Sequence, residues 1–256
     1  MRTIYLNCEN GVSGDMVLNA LADLTEDPAA VRANIERISA HVTNIGSGAH
    51  AEEELGIHSH GAGHTHGDAH THEHGHTQAH RHSSFHRSYR EVMEIISSVP
   101  VSSRVKMTAE QIYAVIAKAE SAVHEQPLST LHFHEVGRDQ AISNVLGVAV
   151  CMDVLRAEQV FASDICDGHG TVQCAHGVLE VPVPAVRAML EQCDLVYHQT
   201  EHEGEMVTPS GLAMIIGIGA QSGPKPDGIP VRESEARGAR SFTDHGLIAQ
   251  LYEGRE

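Results

Sequence analysis

Apolar positions open the chain in alternation: Ile4, Leu6 and Cys8 fall on one side of "RTIYLNC", the period of a strand. After "ENGVSGD" the spacing lengthens, and Val17, Leu18, Leu21 and Leu24 recur as on one face of a helix. A strand, a glycine loop and a helix are therefore predicted at the start. "DPAAVRANIERIS" predicts a second helix, with Asp27 as N-cap and Pro28 in the first position, where a missing N–H costs nothing. "SYREVMEII" predicts another, opened by a capping box between Ser88 and Glu91 ahead of Val92, Ile95 and Ile96. A long helix around Thr108–His124 keeps Ile112, Val115, Ile116, Ala119 and Val123 on one side. "LSTLHFHEVG" reads as a short extended segment or loop, and "AISNVLGVAVCMDVL" as a helix apolar enough to be largely buried.

Short strands follow around Gln159–Ser163 and Thr171–Cys174. Pro182 and Pro184 lead into a helix at "AVRAMLEQ", and a strand follows at "LVYHQ". "VTPSGLAMIIGI" predicts a helix capped by Thr208 with Pro209 first, and a last pair of strands lies near Pro230–Glu233 and Leu247–Tyr252. Helices alternating with strands predict an α/β or α+β fold, a mixed sheet with packed helices. None of these local patterns encodes the order of the strands.

Between His50 and Arg87 the periodicity is lost to His, Gly, Ala, Thr and Ser. With almost no large apolar residues this segment cannot offset its ordering entropy, so a disordered insertion is predicted in the absence of metal. Residues 1–49 and 88–256 are then parts of one core domain, and 50–87 is a loop set into it. Its centre, "HSHGAGHTHGDAHTHEHGHTQAHRH", carries His58, His60, His64, His66, His70, His72, His74, His76, His80 and His82. Neutral imidazoles in H-x-H repeats suit nickel, copper, zinc and cobalt. A solubilising linker is the plainer alternative. Even as a metal binder the run makes a poor catalyst, because interchangeable ligands have no fixed geometry and no supporting partners.

Charge narrows the partners. The formal net charge of −17 opposes nucleic acid and anionic membranes, which need basic surface, and favours a cation. The five cysteines are scattered, odd in number and form no C-x-x-C, which points to a reducing compartment rather than to a disulfide framework. No apolar leader segment and no run of about twenty apolar residues is present, so the cytoplasm is the expected location.

Four short stretches carry candidate chemistry. In "LHFHEVG" an extended backbone would turn His132 and His134 to one face, a half-formed metal site or two structural histidines. "NGVSGDM", between strand and helix, is built like an anion loop. Gly11 and Gly14 permit close backbone approach, Ser13 offers a hydroxyl, and Ser13 or Asp15 could equally be a plain N-cap. "GHGTVQCAHG" sets Cys174 and His176 at alternate strand positions with His169 upstream, a thiolate and an imidazole for nickel or zinc, or an ordinary buried cysteine. "EGEMVTPSG" brings Glu203, Glu205, Thr208 and Ser210 to a helix start, capping chemistry unless a metal or an acidic group docks there.

Taken in order, "YLNCENGVSGDMVLNALADL", "LHFHEVG", "GTVQCAHGVLEVPVPAVRAML" and "EGEMVTPSG" resemble the LarC family of nickel-insertion proteins, which also tend to carry a His-rich insertion after the first block. The resemblance implies a CTP-dependent cyclometallation, a lyase-type chelatase reaction. In it nickel enters pyridinium-3,5-bisthiocarboxylic acid mononucleotide and forms nickel–sulfur and nickel–carbon bonds. It also implies that CTP, with Mg²⁺ or Mn²⁺, belongs to a C-terminal domain outside these 256 residues, so that this chain is the nickel-handling half. On that reading the "NGVSGD" loop holds the substrate's phosphate, His132, His134, Cys174 and His176 handle nickel in transit, and the His-rich run gathers it. Asn7, Gln140 and Asn144 stand where family members tend to carry aspartate. A second reading keeps the His-rich run without catalysis: a nickel or zinc storage or delivery protein. The oligomeric state is left open, a homo-oligomer included.

Overall fold

The computed structural model describes residues 1–54, 87–174, 177–239 and 243–254, with side chains in the first segment described as far as residue 45. The chain begins β1 (Arg2–Asn7), α1 (Gly14–Asp23) and α2 (Pro28–Glu54), and resumes with β2 (Arg87–Ser88), α3 (Tyr89–Ser98) and α4 (Ser103–His124). A 3₁₀ turn (Leu128–Thr130) leads to β3 (His132–Phe133) and α5 (Asp139–Leu155). Then come β4 (Gln159–Ala162), β5 (Ile165–His169), β6 (Thr171–Cys174), β7 (Gly177–Glu180), α6 (Pro184–Leu190) and β8 (Tyr197–Glu203). The last elements are α7 (Pro209–Gly217), β9 (Gln221–Ser222), β10 (Arg232–Ala236) and β11 (Leu247–Glu253).

The main sheet is mixed, as predicted, with order β10-β11-β1-β4-β9. β1 is central because its alternating apolar residues match partners on both sides. Ile4 faces Leu251 of β11 antiparallel and Val160 of β4 parallel, and Leu6 faces Ala249 and Ala162. α1 packs on β10 and β11, where the Ser234 hydroxyl donates to the Ala20 carbonyl at 2.7 Å. Behind it α5 is wedged among α1, α2 and α4, which explains why eleven of its seventeen residues are buried and why its sequence reads as almost uniformly apolar. Among the described residues no helix is long and apolar enough to cross a membrane.

Local capping signals place the helix starts. The Asp27 carboxylate accepts from the Ala30 amide at 3.0 Å, Thr208 from Gly211 at 3.1 Å, and Ser88 and Glu91 form the reciprocal box. Ser88→Ala is expected to destabilise the fold by about 1 kcal/mol, measured by denaturant titration. The hydrogen bond from Ser88 holds the Glu91 carboxyl below its ordinary value of 4.5. A carboxyl with a depressed folded pKa adds stability that is full above that ordinary value and is lost as pH falls through the folded one. The cost of Glu91→Gln should therefore shrink as the titration is repeated at lower pH within the acid range.

Two boundaries differ from expectation. α2 runs on to Glu54, into the segment assigned to the loop. Arg87, expected as the loop's last residue, is buried at 4% exposure and pairs with Phe133 across β2 and β3. Its guanidinium ion-pairs with Asp139 at 2.6 Å and donates to the Gly137 carbonyl at 2.9 Å. Composition marks a segment, and a single arginine with a buried partner leaves no trace in it. His58, His60, His64, His66, His70, His72, His74, His76, His80 and His82 all lie outside the described residues.

Candidate functional site

Two turns and the end of one helix enclose a cleft of about 410 Å³, within the range of small-molecule sites. The first turn follows β3. Phe133 is fully buried, edge-on to Tyr89 at 6.2 Å and tilted to Tyr113 at 6.0 Å between ring centres, and the Tyr113 hydroxyl donates to the Val136 carbonyl at 2.9 Å. With Arg87 on Gly137 and Asp139, these contacts set the turn that carries His134 and Glu135 into the cleft.

The second turn joins β8 to α7. Asp167 of β5 is fully buried, and one carboxylate oxygen accepts from the amides of Gly168 (2.8 Å), Met206 (2.8 Å) and Val207 (2.9 Å). The other accepts from the Tyr197 hydroxyl at 3.2 Å. Burial outweighs these hydrogen bonds and raises the Asp167 pKa. So anchored, the turn presents Glu205, Thr208 and Ser210 to the cleft. Cys174, at the end of the β6–β7 hairpin, lines a third side.

The loop read as an anion site meets this second turn backbone to backbone. The Val12 amide donates to the Met206 carbonyl at 2.9 Å, and the Thr208 amide to the Val12 carbonyl at 2.9 Å. Gly11 has φ +87°, and a Cβ there would lie 2.5 Å from the Met206 carbonyl oxygen. A Cβ on Gly14 would lie 3.1 Å from the Ser210 hydroxyl oxygen. The glycines thus serve the packing of α1 against α7, and the Ser13 hydroxyl accepts from the Met16 amide at 3.3 Å as the N-cap. Asp15 accepts from the Asn144 side chain at 2.7 Å, and Asn144 in turn accepts from Gln140 at 2.8 Å. Ser13, Asp15, Glu205 and Thr208 share a smaller pocket of about 140 Å³ with Arg237 and His245.

The predicted metal residues do not all meet. Alternation stops at Phe133, where β3 ends, so His132 and His134 have different surroundings. His132 is exposed opposite Ser88, near enough to Glu91 to help lower its pKa, and is not among the residues lining the cleft. β6 ends at Cys174, which pairs with Gly177, and His176 lies outside the described residues. His169 ends β5, exposed. Burial pushes the Cys8 thiol up, and that of Cys151 to about 12, so neither offers a thiolate near neutral pH. Among the described residues no group of three or more His, Cys, Asp or Glu side chains could hold a metal ion.

Sequence reading passed over Glu120 and His124, which close the cleft from the end of α4 with Nε2 and Oε2 3.2 Å apart. The His124 ring centre is 5.9 Å from that of His134. Their signal was the E-x-x-x-H spacing, one helical turn, just ahead of "LHFHEVG". Asp167 was missed as well, because β5 was not predicted.

The chain matches the family model described as nickel insertion protein over residues 4–253. A pyridinium-3,5-bisthiocarboxylic acid mononucleotide nickel insertion protein of Acetivibrio thermocellus is 33% identical over 226 residues, 88% of this chain and 54% of that protein. Proteins of the same name from Alkaliphilus metalliredigens and Lactiplantibacillus plantarum are 35% and 31% identical, over 84% and 100% of this chain and 52% and 63% of theirs. The chain thus spans between about half and two thirds of the length of these relatives. No solved structure matches it. The match covers both turns, the α4 end and the hairpin that together form the cleft, and the chain belongs to the nickel insertion protein family.

Proposed function

We propose that this chain handles nickel for insertion into pyridinium-3,5-bisthiocarboxylic acid mononucleotide in the cytoplasm, the His-rich run gathering the ion and the cleft presenting it. The observation that carries this reading is the cleft itself: His134, Cys174, Glu205, Thr208 and Ser210, from three of the four stretches singled out in sequence, line one space. Imidazole and thiolate suit nickel, and hydroxyls at a helix start suit an anionic substrate. The mononucleotide's phosphate is assigned to the adjoining pocket, where Ser13 and Thr208 begin two helices and Arg237 brings a guanidinium that also faces Glu235 at 3.6 Å. CTP chemistry, with its Mg²⁺ or Mn²⁺, is assigned to a separate or fused C-terminal domain.

Storage or delivery without catalysis is the second reading, favoured by the fact that no three donors converge among the described residues. Nickel titration separates the two. In the full-length chain with every histidine from His50 to His86 changed to asparagine, insertion predicts that one tight nickel equivalent remains. Loss of all tight binding with those histidines supports storage.

A further inference from the structure

We infer that Val172 and Leu179, the inward pair of the β6–β7 hairpin, form the wall that holds the ring of the mononucleotide and select it over the ribose phosphate alone. This rests on the nickel-insertion reading and names the residues that recognise the ring of its substrate. β6 and β7 pair with each other and, among the described residues, with no other strand. The Val181 amide closes the base of the hairpin on the Gly170 carbonyl at 2.9 Å. Two strands alone are marginal in water, so the hairpin depends on what covers its inner face.

Register fixes which side chains that face carries. Val172 stands opposite Leu179, and Gln173 opposite Val178. Successive side chains on a strand point to opposite faces. Val172 is 8% exposed, Leu179 is half-buried, and both line the cleft, whereas Val178 is 64% exposed and does not. Val136, Ala141 and Pro209 bring apolar surface to the same space from the turn after β3, from α5 and from α7. A pyridinium ring has two flat faces without hydrogen-bonding groups and carries its polar substituents at the edge. Aliphatic walls suit the faces, since burying them removes apolar area from water.

The phosphate decides that the ring lies here. The pocket assigned to it measures about 140 Å³, too small for the rest of a nucleotide as well. Glu205 and Thr208 line both that pocket and the cleft, so the two spaces adjoin. A mononucleotide with its phosphate in the small pocket runs past Thr208 and leaves its ring in the cleft of about 410 Å³, against the hairpin.

The test is equilibrium binding of pyridinium-3,5-bisthiocarboxylic acid mononucleotide and of ribose 5-phosphate to the full-length chain, with and without Ni²⁺. The unsubstituted chain should bind the mononucleotide more tightly. Leu179→Ala and Val172→Ala should each weaken the mononucleotide by at least about 10-fold and leave ribose 5-phosphate unchanged, the scale that a methylene group carries in an apolar pocket. Leu179→Met, similar in volume, should restore most of the loss, and Val178→Ala, on the outer face of the same hairpin, should change neither ligand. Val172 belongs to the core, so Leu179→Ala decides where the Val172 variant lowers the thermal transition. Unchanged mononucleotide affinity in Leu179→Ala, or an equal loss for both ligands, overturns the inference and leaves the nickel-insertion reading intact. So does an unsubstituted chain that binds ribose 5-phosphate as tightly as the mononucleotide. A chain that binds no mononucleotide under either condition overturns the inference and the reading together.

Discussion

Asp167→Ala should lower stability by about 3–5 kcal/mol, because it strips the partner from three backbone amides in the interior. Those amides belong to Gly168, Met206 and Val207, and the Tyr197 hydroxyl loses its acceptor as well. In a chain of this size that loss lowers Tm by roughly 10 °C, measurable by calorimetry. Asp167→Asn keeps an oxygen for the three amides and should remain within about 1 kcal/mol of wild type. The comparison also has a definite pH sense. Burial raises the folded pKa of Asp167, so its contribution is full below the unfolded value and is lost as pH rises through the folded one. Asn does not titrate, and its stability relative to wild type should therefore improve as pH rises across that interval and then level off. Because the same amides hold the turn bearing Glu205 and Thr208, the Ala variant should also weaken binding in the cleft at temperatures where it is still folded.

Arg87→Ala should cost about 3 kcal/mol, the low end of what breaking a buried ion pair costs, since the Asp139 side chain is 30% exposed and partly solvated. The guanidinium binds both the Asp139 carboxylate and the Gly137 carbonyl, which ties β2 to the first turn of α5 across the loop that carries His134. Arg87→Met retains the aliphatic stem and should recover part of the packing loss but not the tie. Urea titration gives both values. Nickel affinity measured in the folded Met variant, where only the tie is missing, should fall relative to wild type, whereas His132→Ala should not lower it.

These two buried charges also show where sequence reading stopped. Caps and periodicity are local, and they placed the Asp27, Ser88 and Thr208 starts and the course of α5 without help from the rest of the chain. Asp167 and Arg87 act between elements 30 to 50 positions apart in the chain, through backbone groups whose identity no composition records. The cleft was legible in its parts, since "HEVG", "VQC" and "EMVTPS" each drew attention, but not as an assembly. Alternation failed for His132 and His134 because β3 is only two residues long. Val123 shares one side of α4 with Ile112, Ile116 and Ala119, yet they are buried and it is 37% exposed, lining the cleft next to His124. A half-open functional surface looks, in a helical pattern, like a core face.

The central claim is that the cleft receives the mononucleotide and that the His-rich run only supplies the ion. Equilibrium binding of pyridinium-3,5-bisthiocarboxylic acid mononucleotide to the full-length chain, with inorganic phosphate as competitor, tests it most directly. The account predicts saturable binding at one site, weakened by phosphate and unchanged when the histidines from His50 to His86 are replaced by asparagine. Absence of binding to both the nickel-free and the nickel-loaded chain would contradict it and leave a metal store.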